Sequence, residues 1–120
     1  NCLMVWKTRK QEAVSLSSTE AEFYALADAV AVLVWLRMLL GEIGIQQDTP
    51  ALVMEDNQGC IGLAEALSNR SRAKHIDIRY HFVQDRIHSR DIKLKYVPTA
   101  DQVADMFTKP LDKVRFAKLR

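Results

Sequence analysis

The sequence predicts an α/β domain that contains at least one parallel pair of β-strands. Two short runs of β-forming residues, 51–55 and 91–97, are separated by segments with helical periodicity. A long apolar helical segment precedes the first run, and a further helical segment follows the second. Alternation of strands and helices along a chain is typical of the α/β class. With 120 residues, the chain accommodates one small domain.

The first part of the chain predicts a strand and then a long helix. Residues 3–8 alternate weakly and carry β-forming side chains, which indicates a strand. Ser17 and Glu20 have the spacing of a capping box, so we expect the helix to begin there. The helix is apolar on nearly every side between residues 29 and 36, which places its middle in the core. It should end at about residue 40, where Gly41 and Gly44 follow.

The second part of the sequence predicts two strands, four helices and a basic loop. The apolar run before Asp56 reads as a buried strand, and residues 91–97 alternate between apolar and basic side chains. Thr99 or Asp101 is a candidate cap for the helix that leads to Phe107, and Pro110 ends that helix. The predicted elements are a strand at 51–55, a helix at 57–67, a loop at 68–74, a helix at 76–89, a strand at 91–97, a helix to residue 107 and a short helix at 111–119.

Composition excludes several classes of protein and divides the chain by charge. Residues 1–67 carry 4 basic and 9 acidic side chains, net −5, whereas residues 68–120 carry 13 basic and 6 acidic, net +7. Cys2 and Cys60 lack zinc-ligand spacing, and two lone thiols fit a reducing, intracellular setting. No signal-peptide pattern opens the chain, and its longest apolar run is too short for a membrane span, so we expect no membrane partner.

Three carboxylates lack an obvious structural explanation. Asp56 stands at the carboxyl end of the strand at 51–55, where open α/β sheets place their sites, and Asn57 can cap the next helix. Glu22 and Asp105 both lie among apolar residues of helices. A solvated surface acid is the simpler interpretation of each residue singly. Together, the three acids could converge on a site for two metal ions that cleaves a phosphodiester.

The neighbouring acids have simpler explanations. Glu20 serves the capping box and points about 200° away from Glu22 on the helix, so one cannot replace the other. Glu55 and Asp56 are strand neighbours, which predicts that they face opposite sides. Asp101 is explained as a helix cap.

The loop before the third helix is a candidate contact for phosphate groups. Arg70, Arg72 and Lys74 cluster there, and His75 ends the loop. Basic side chains of this kind track a nucleic-acid backbone. The alternative is that each basic side chain only solvates the surface.

Four motifs in a single register resemble the ribonuclease H domain of copia-type LTR retrotransposon Pol polyproteins. They are LSSTEAEFYAL at 16–26, EDNQ at 55–58, KHIDIRYHF at 74–82 and YVPTADQVADMFTKPL at 96–111. The likeness covers nearly the whole chain. It implies a ribonuclease H-like mixed sheet with flanking helices, and cleavage of the RNA strand of RNA–DNA hybrids. Two Mg²⁺ ions, with Mn²⁺ as the alternative, are implied as cofactors held by four acids.

Carried over by motif, Glu22, Asp56 and Asp105 are catalytic metal ligands, while Asn57 and the basic loop would contact nucleic acid. The implied partners are an RNA–DNA hybrid and the remainder of the Pol polyprotein, including reverse transcriptase. The implied location is intracellular, in a cytoplasmic virus-like particle or the nucleus.

The chain departs from the family at its front. The family's first catalytic Asp, on its first strand, has no counterpart here, and residues 1–8 resemble the family's third strand. We therefore expect a truncated fold, without the family's strands one and two, that is inactive and poorly stable alone. The rival interpretation is a non-catalytic retrotransposon remnant or a nucleic-acid-binding module. A third class, a helical protein-interaction module, would need an exposed apolar face on the helix at 18–40, and that face is better explained as core.

Overall fold

The computed structural model describes residues 5–8, 11, 15, 17–66 and 74–120, and for residues 74–77 it describes the backbone only. These residues form a small α/β domain, as predicted. The elements are α1 (Ser18–Glu42), β1 (Ala51–Glu55), α2 (Gln58–Glu65), α3 (Lys74–His88), β2 (Ile92–Tyr96), a 3₁₀ turn (Thr99–Asp101), α4 (Asp105–Thr108) and α5 (Lys113–Leu119).

Helix α1 begins as its capping sequence predicts. The Ser17 side chain is the N-cap and accepts a hydrogen bond from the Glu20 backbone N–H at 3.1 Å. The helix runs past Gly41, which was expected to end it, and stops at Glu42. The chain reverses at Gly44, whose φ of 83° lies in the left-handed region that only glycine adopts without strain.

The two described strands lie side by side in one sheet. β1 and β2 pair in parallel, with Ala51 opposite Ile92 and Glu55 opposite Tyr96, so the predicted parallel pair is confirmed. The strand predicted at residues 3–8 is wrong over its described part, because residues 5–8 have no regular structure. There the Trp6 ring stacks on Phe107, with ring centroids 6.2 Å apart. Within the described ranges the sheet therefore has two parallel strands, and the mixed sheet remains a prediction.

The core is formed by the first half of α1. Its buried residues have the i, i+3, i+4, i+7 spacing of one helix face. They pack against α2, α3 and β2, and the Phe23 ring stacks on Tyr80 with centroids 4.0 Å apart. The buried apolar residues are Phe23, Leu26, Ala27, Val30, Cys60, Ala64, Val83, Ile92 and Leu94.

The second half of α1 is more exposed than its composition predicts. Trp35 is 57% exposed, and Val30 is the one fully buried residue of the apolar stretch at 29–36, so most of the buried face of α1 lies before that stretch. By length and composition alone, α1 also meets the criterion for a membrane-spanning helix, which core helices of soluble proteins share. Here one face of α1 builds the core of the domain, and the expected absence of a membrane partner stays a prediction.

The segment after β2 differs from the single helix that was predicted. A 3₁₀ turn ends at Asp101, Gln102 is extended, and only then does the one-turn helix α4 begin. Neither Thr99 nor Asp101 caps it, since the N-cap of α4 is Ala104, which offers no side-chain hydrogen bond. The break brings α5 back against this segment, where the Lys118 ammonium pairs with the Asp101 carboxylate.

Candidate metal centre

The strand-to-helix junction after β1 positions the central acid of the site. The strand ends at Glu55, the chain bends at Asp56, and α2 begins at Gln58. Asn57 caps that helix, because its Oδ1 accepts a hydrogen bond from the Cys60 N–H at 3.0 Å. Asp56 is thus held between two regular elements at the carboxyl end of a parallel strand.

Three carboxylates meet at this junction. Glu22 comes from the second turn of α1, and it joins Glu55 and Asp56. Each offers one carboxylate oxygen, and the three oxygens lie within 4.8 Å of one another. Carboxylate oxygens are the ligands that Mg²⁺ and Mn²⁺ prefer. The donor set and its spacing therefore fit a hard divalent cation.

Glu55 is the member of this cluster that the sequence prediction excluded. Strand alternation predicted that Glu55 and Asp56 face opposite sides, but the strand ends between them and the bend at Asp56 breaks the alternation. Glu55 is only 6% exposed, and its Oε1 accepts a hydrogen bond from the Asn57 N–H at 3.0 Å. Two consecutive acids followed by a helix-capping Asn were the available signal.

Burial and neighbouring negative charges disfavour the ionised forms of two acids of this cluster, Glu55 and Glu22. Burial raises the pKa of Glu55 from its ordinary 4.5 to about 7, and the charges of Glu22 and Asp56 add to the rise, against the hydrogen bond from Asn57. The pKa of Glu22 is also raised, first by burial and then by Asp56. Because a bound cation would favour the ionised form of each acid, the arrangement is suited to hold one.

Asp105 is close to this cluster but is engaged with cations of the chain itself. It is 4% exposed. Its Oδ1 lies 2.8 Å from the Lys109 Nζ, and its Oδ2 lies 2.6 Å from the Arg115 Nη2. The charges of Asp105 and Lys109 both act on the pKa of Glu22, so the two sites are within electrostatic reach. The structure thus brings Glu22 and Asp56 together and places Asp105 beside them, in a separate ion-pair network.

Glu20 and Glu22 have different surroundings, as their spacing predicts. The Glu20 carboxylate accepts a hydrogen bond from the Tyr24 hydroxyl one turn later, at 3.1 Å, while Glu22 joins the acid cluster.

The predicted nucleic-acid contacts of the basic loop have side chains outside the described residues. Arg70 and Arg72 lie outside the described residues, and Lys74 and His75 begin α3 with side chains that also lie outside them.

Proteins similar to this chain include three plant transposon products. Over 111 residues, 92% of this chain, it is 40% identical to the retrovirus-related Pol polyprotein from transposon RE2 of Arabidopsis thaliana. Over the same share it is 39% identical to the Pol polyprotein from transposon RE1 of that plant, and 33% identical to the one from transposon TNT 1-94 of Nicotiana tabacum. The chain spans 8% of the length of each relative.

No family model matches the chain, and no solved structure matches it. The relatives confirm the predicted likeness to retrotransposon Pol polyproteins, and the assignment to the ribonuclease H domain stays a prediction.

Proposed function

We propose that this chain is part of the ribonuclease H domain of a retrotransposon Pol polyprotein, which hydrolyses the RNA strand of RNA–DNA hybrids. One observation supports this most: three carboxylates from α1 and the end of β1 gather within 4.8 Å, in a chain related to Pol polyproteins. In this proposal β1 and β2 are neighbouring parallel strands of a ribonuclease H-like sheet.

Glu22 and Asp56 would be ligands of divalent ions, Mg²⁺ or Mn²⁺, and Asp105 would complete the set from α4. When bound, such ions supply an activated water and stabilise the leaving oxygen of a phosphodiester. The chain's own contribution is to hold the acids in place: the Asn57 N–H fixes the Glu55 carboxylate, and Lys109 and Arg115 fix Asp105. Glu55 would add a fourth carboxylate close to Glu22 and Asp56.

The rest of the machinery would come from outside the matched segment. The family's first acid has no counterpart in this sequence, and the relatives are far longer than this chain. We propose that the remainder of the polyprotein, including its reverse transcriptase, supplies that acid and the strands that carry it. The setting would be intracellular, in a cytoplasmic virus-like particle or the nucleus.

The test uses a longer polypeptide that also carries the polyprotein sequence preceding Asn1. It should cleave a labelled RNA–DNA hybrid with Mg²⁺, and Asp56→Asn should abolish cleavage while hybrid binding persists, because an amide lacks a second anionic oxygen. Asp48→Asn is the control. Asp48 lies exposed in the loop before β1, and its substitution removes the same charge. Undiminished cleavage by Asp56→Asn would refute the assignment.

A nucleic-acid-binding role without catalysis is the second candidate, favoured by the net charge of +7 on residues 68–120. It predicts hybrid binding that weakens with salt but no cleavage by the longer polypeptide. Changing Arg70, Arg72 and Lys74 together to Ala should then weaken binding and reduce the salt slope by up to about three phosphate contacts. An unchanged slope would show that this loop does not touch the backbone.

A further inference from the structure

Asp105 is paired with two cations, one from the next helical turn and one from the following helix, α5. Lys109 follows it by one helical turn and binds Oδ1, whereas Arg115 lies on α5 and binds Oδ2. Each carboxylate oxygen therefore has its own positive partner. A nearly buried aspartate needs such a partner, but the proposed ribonuclease function gives neither base a role beyond holding Asp105.

The two cations differ in how firmly they are held. Arg115 is 25% exposed, and its Nη2 also donates a hydrogen bond to the Thr99 carbonyl. Its backbone N–H is fixed by the Asp112 carboxylate that caps α5. Lys109 is 48% exposed, and Asp105 is its one ion-pair partner among the described residues. Because Lys109 is half-exposed on a flexible stem, and Arg115 would still neutralise Asp105, Lys109 is the partner that can leave.

The Lys109 ammonium also interacts with the negative charges of the acid cluster. Beyond its bond to Asp105, the negative charges of Asp56 and Glu22 help to raise the pKa of its ammonium. In return, the Lys109 charge lowers the pKa of Glu22, against the effect of burial. The positive charge of Lys109 thus acts on all three acids that are proposed to hold the metal.

We propose that the Lys109 ammonium is the built-in counterion of the metal centre, which a divalent cation displaces from Asp105. Arg115 is a positioning residue that keeps the second oxygen of Asp105 oriented during the exchange. This inference rests on the proposed function and adds to it a residue that sets metal affinity. Removing the Lys109 charge should therefore strengthen metal binding, although it removes a bond to a metal ligand.

The experiment measures Mn²⁺ binding to the 120-residue chain by isothermal titration calorimetry. Lys109→Met should bind Mn²⁺ about tenfold more tightly than the unchanged chain, the effect of removing a unit charge roughly 6 Å from a divalent ion in a water-like dielectric. Lys109→Arg retains the charge and should bind nearly as the unchanged chain does. Lys118→Met is the matched control, because Lys118 is 59% exposed, carries the same charge and pairs with Asp101 instead.

The outcomes separate this inference from the proposed function. Equal or weaker binding by Lys109→Met, or an equal gain in Lys118→Met, would overturn the inference while leaving a metal site in place. Absence of Mn²⁺ binding by every variant would overturn the inference, while the proposed function would still be decided by hybrid cleavage in the longer polypeptide. Thermal melting checks the fold of each variant, and Lys109→Gln replaces Lys109→Met in the comparison if the latter does not melt cooperatively.

Discussion

Replacing Glu55 by glutamine should stabilise the metal-free chain at alkaline pH. The folded chain holds the pKa of Glu55 at about 7, whereas the unfolded chain returns it to about 4.5. Between these values the folded state binds more protons than the unfolded state, so the free energy of unfolding falls as pH rises. This loss of unfolding free energy is complete above pH 7. A glutamine at position 55 does not ionise, so the variant would not show the loss.

The size of the effect follows from the same two pKa values. A rise from 4.5 to about 7 corresponds to at most about 3 kcal/mol. Glutamine retains an oxygen that can accept the hydrogen bond that the Asn57 N–H now donates to Glu55. We therefore expect Glu55→Gln to match the unchanged chain at pH 4.5 and to exceed it by about 1–3 kcal/mol at pH 9.

Urea denaturation in EDTA at a series of pH values between 4.5 and 9 is the appropriate assay. Glu65→Gln serves as the control, because Glu65 is an exposed glutamate on the neighbouring helix α2. Saturating Mg²⁺ should reverse the order, since a ligand that binds only the folded state stabilises the chain with the complete acid cluster. If the free energy of unfolding depended on pH in the same way for Glu55→Gln and the unchanged chain, the burial of an ionisable Glu55 beside two other acids would be refuted.

Three further predictions concern activity, packing and thiol chemistry. In the longer polypeptide, Glu22→Gln should abolish hybrid cleavage and Glu20→Gln should leave it nearly unchanged; the opposite result would show that the register on α1 is wrong. Phe23→Ala should lower the free energy of unfolding by about 3–5 kcal/mol in urea denaturation, because it empties the centre of the core; a loss below about 1 kcal/mol would contradict that placement. Cys60 is fully buried and its pKa is raised to about 12, so mass spectrometry should find it unmodified by iodoacetamide until urea unfolds the chain; labelling of the folded chain would refute that burial.

The local sequence predicted much of the secondary structure, and its motifs predicted the likeness to Pol polyproteins. Ser17 and Asn57 fix helix starts through short-range hydrogen bonds, and the β-forming runs at 51–55 and 91–97 became the parallel pair. Helix caps and strand propensity depend on neighbours within about four residues, so the sequence contains them directly. The parallel pairing was predicted from the alternation of strands and helices along the chain. The likeness to Pol polyproteins was likewise readable from motif order.

Only the tertiary structure decided which side chains share one site and which face of α1 is buried. Strand alternation separated Glu55 from Asp56, but the bend after β1 brings both carboxylates towards Glu22. The Lys109 counterion of Asp105 is an i,i+4 neighbour, but the Arg115 counterion depends on how α5 folds back, which local periodicity does not encode. Long-range proximity is set by packing of whole elements, and therefore periodicity could nominate the acids but could not group them.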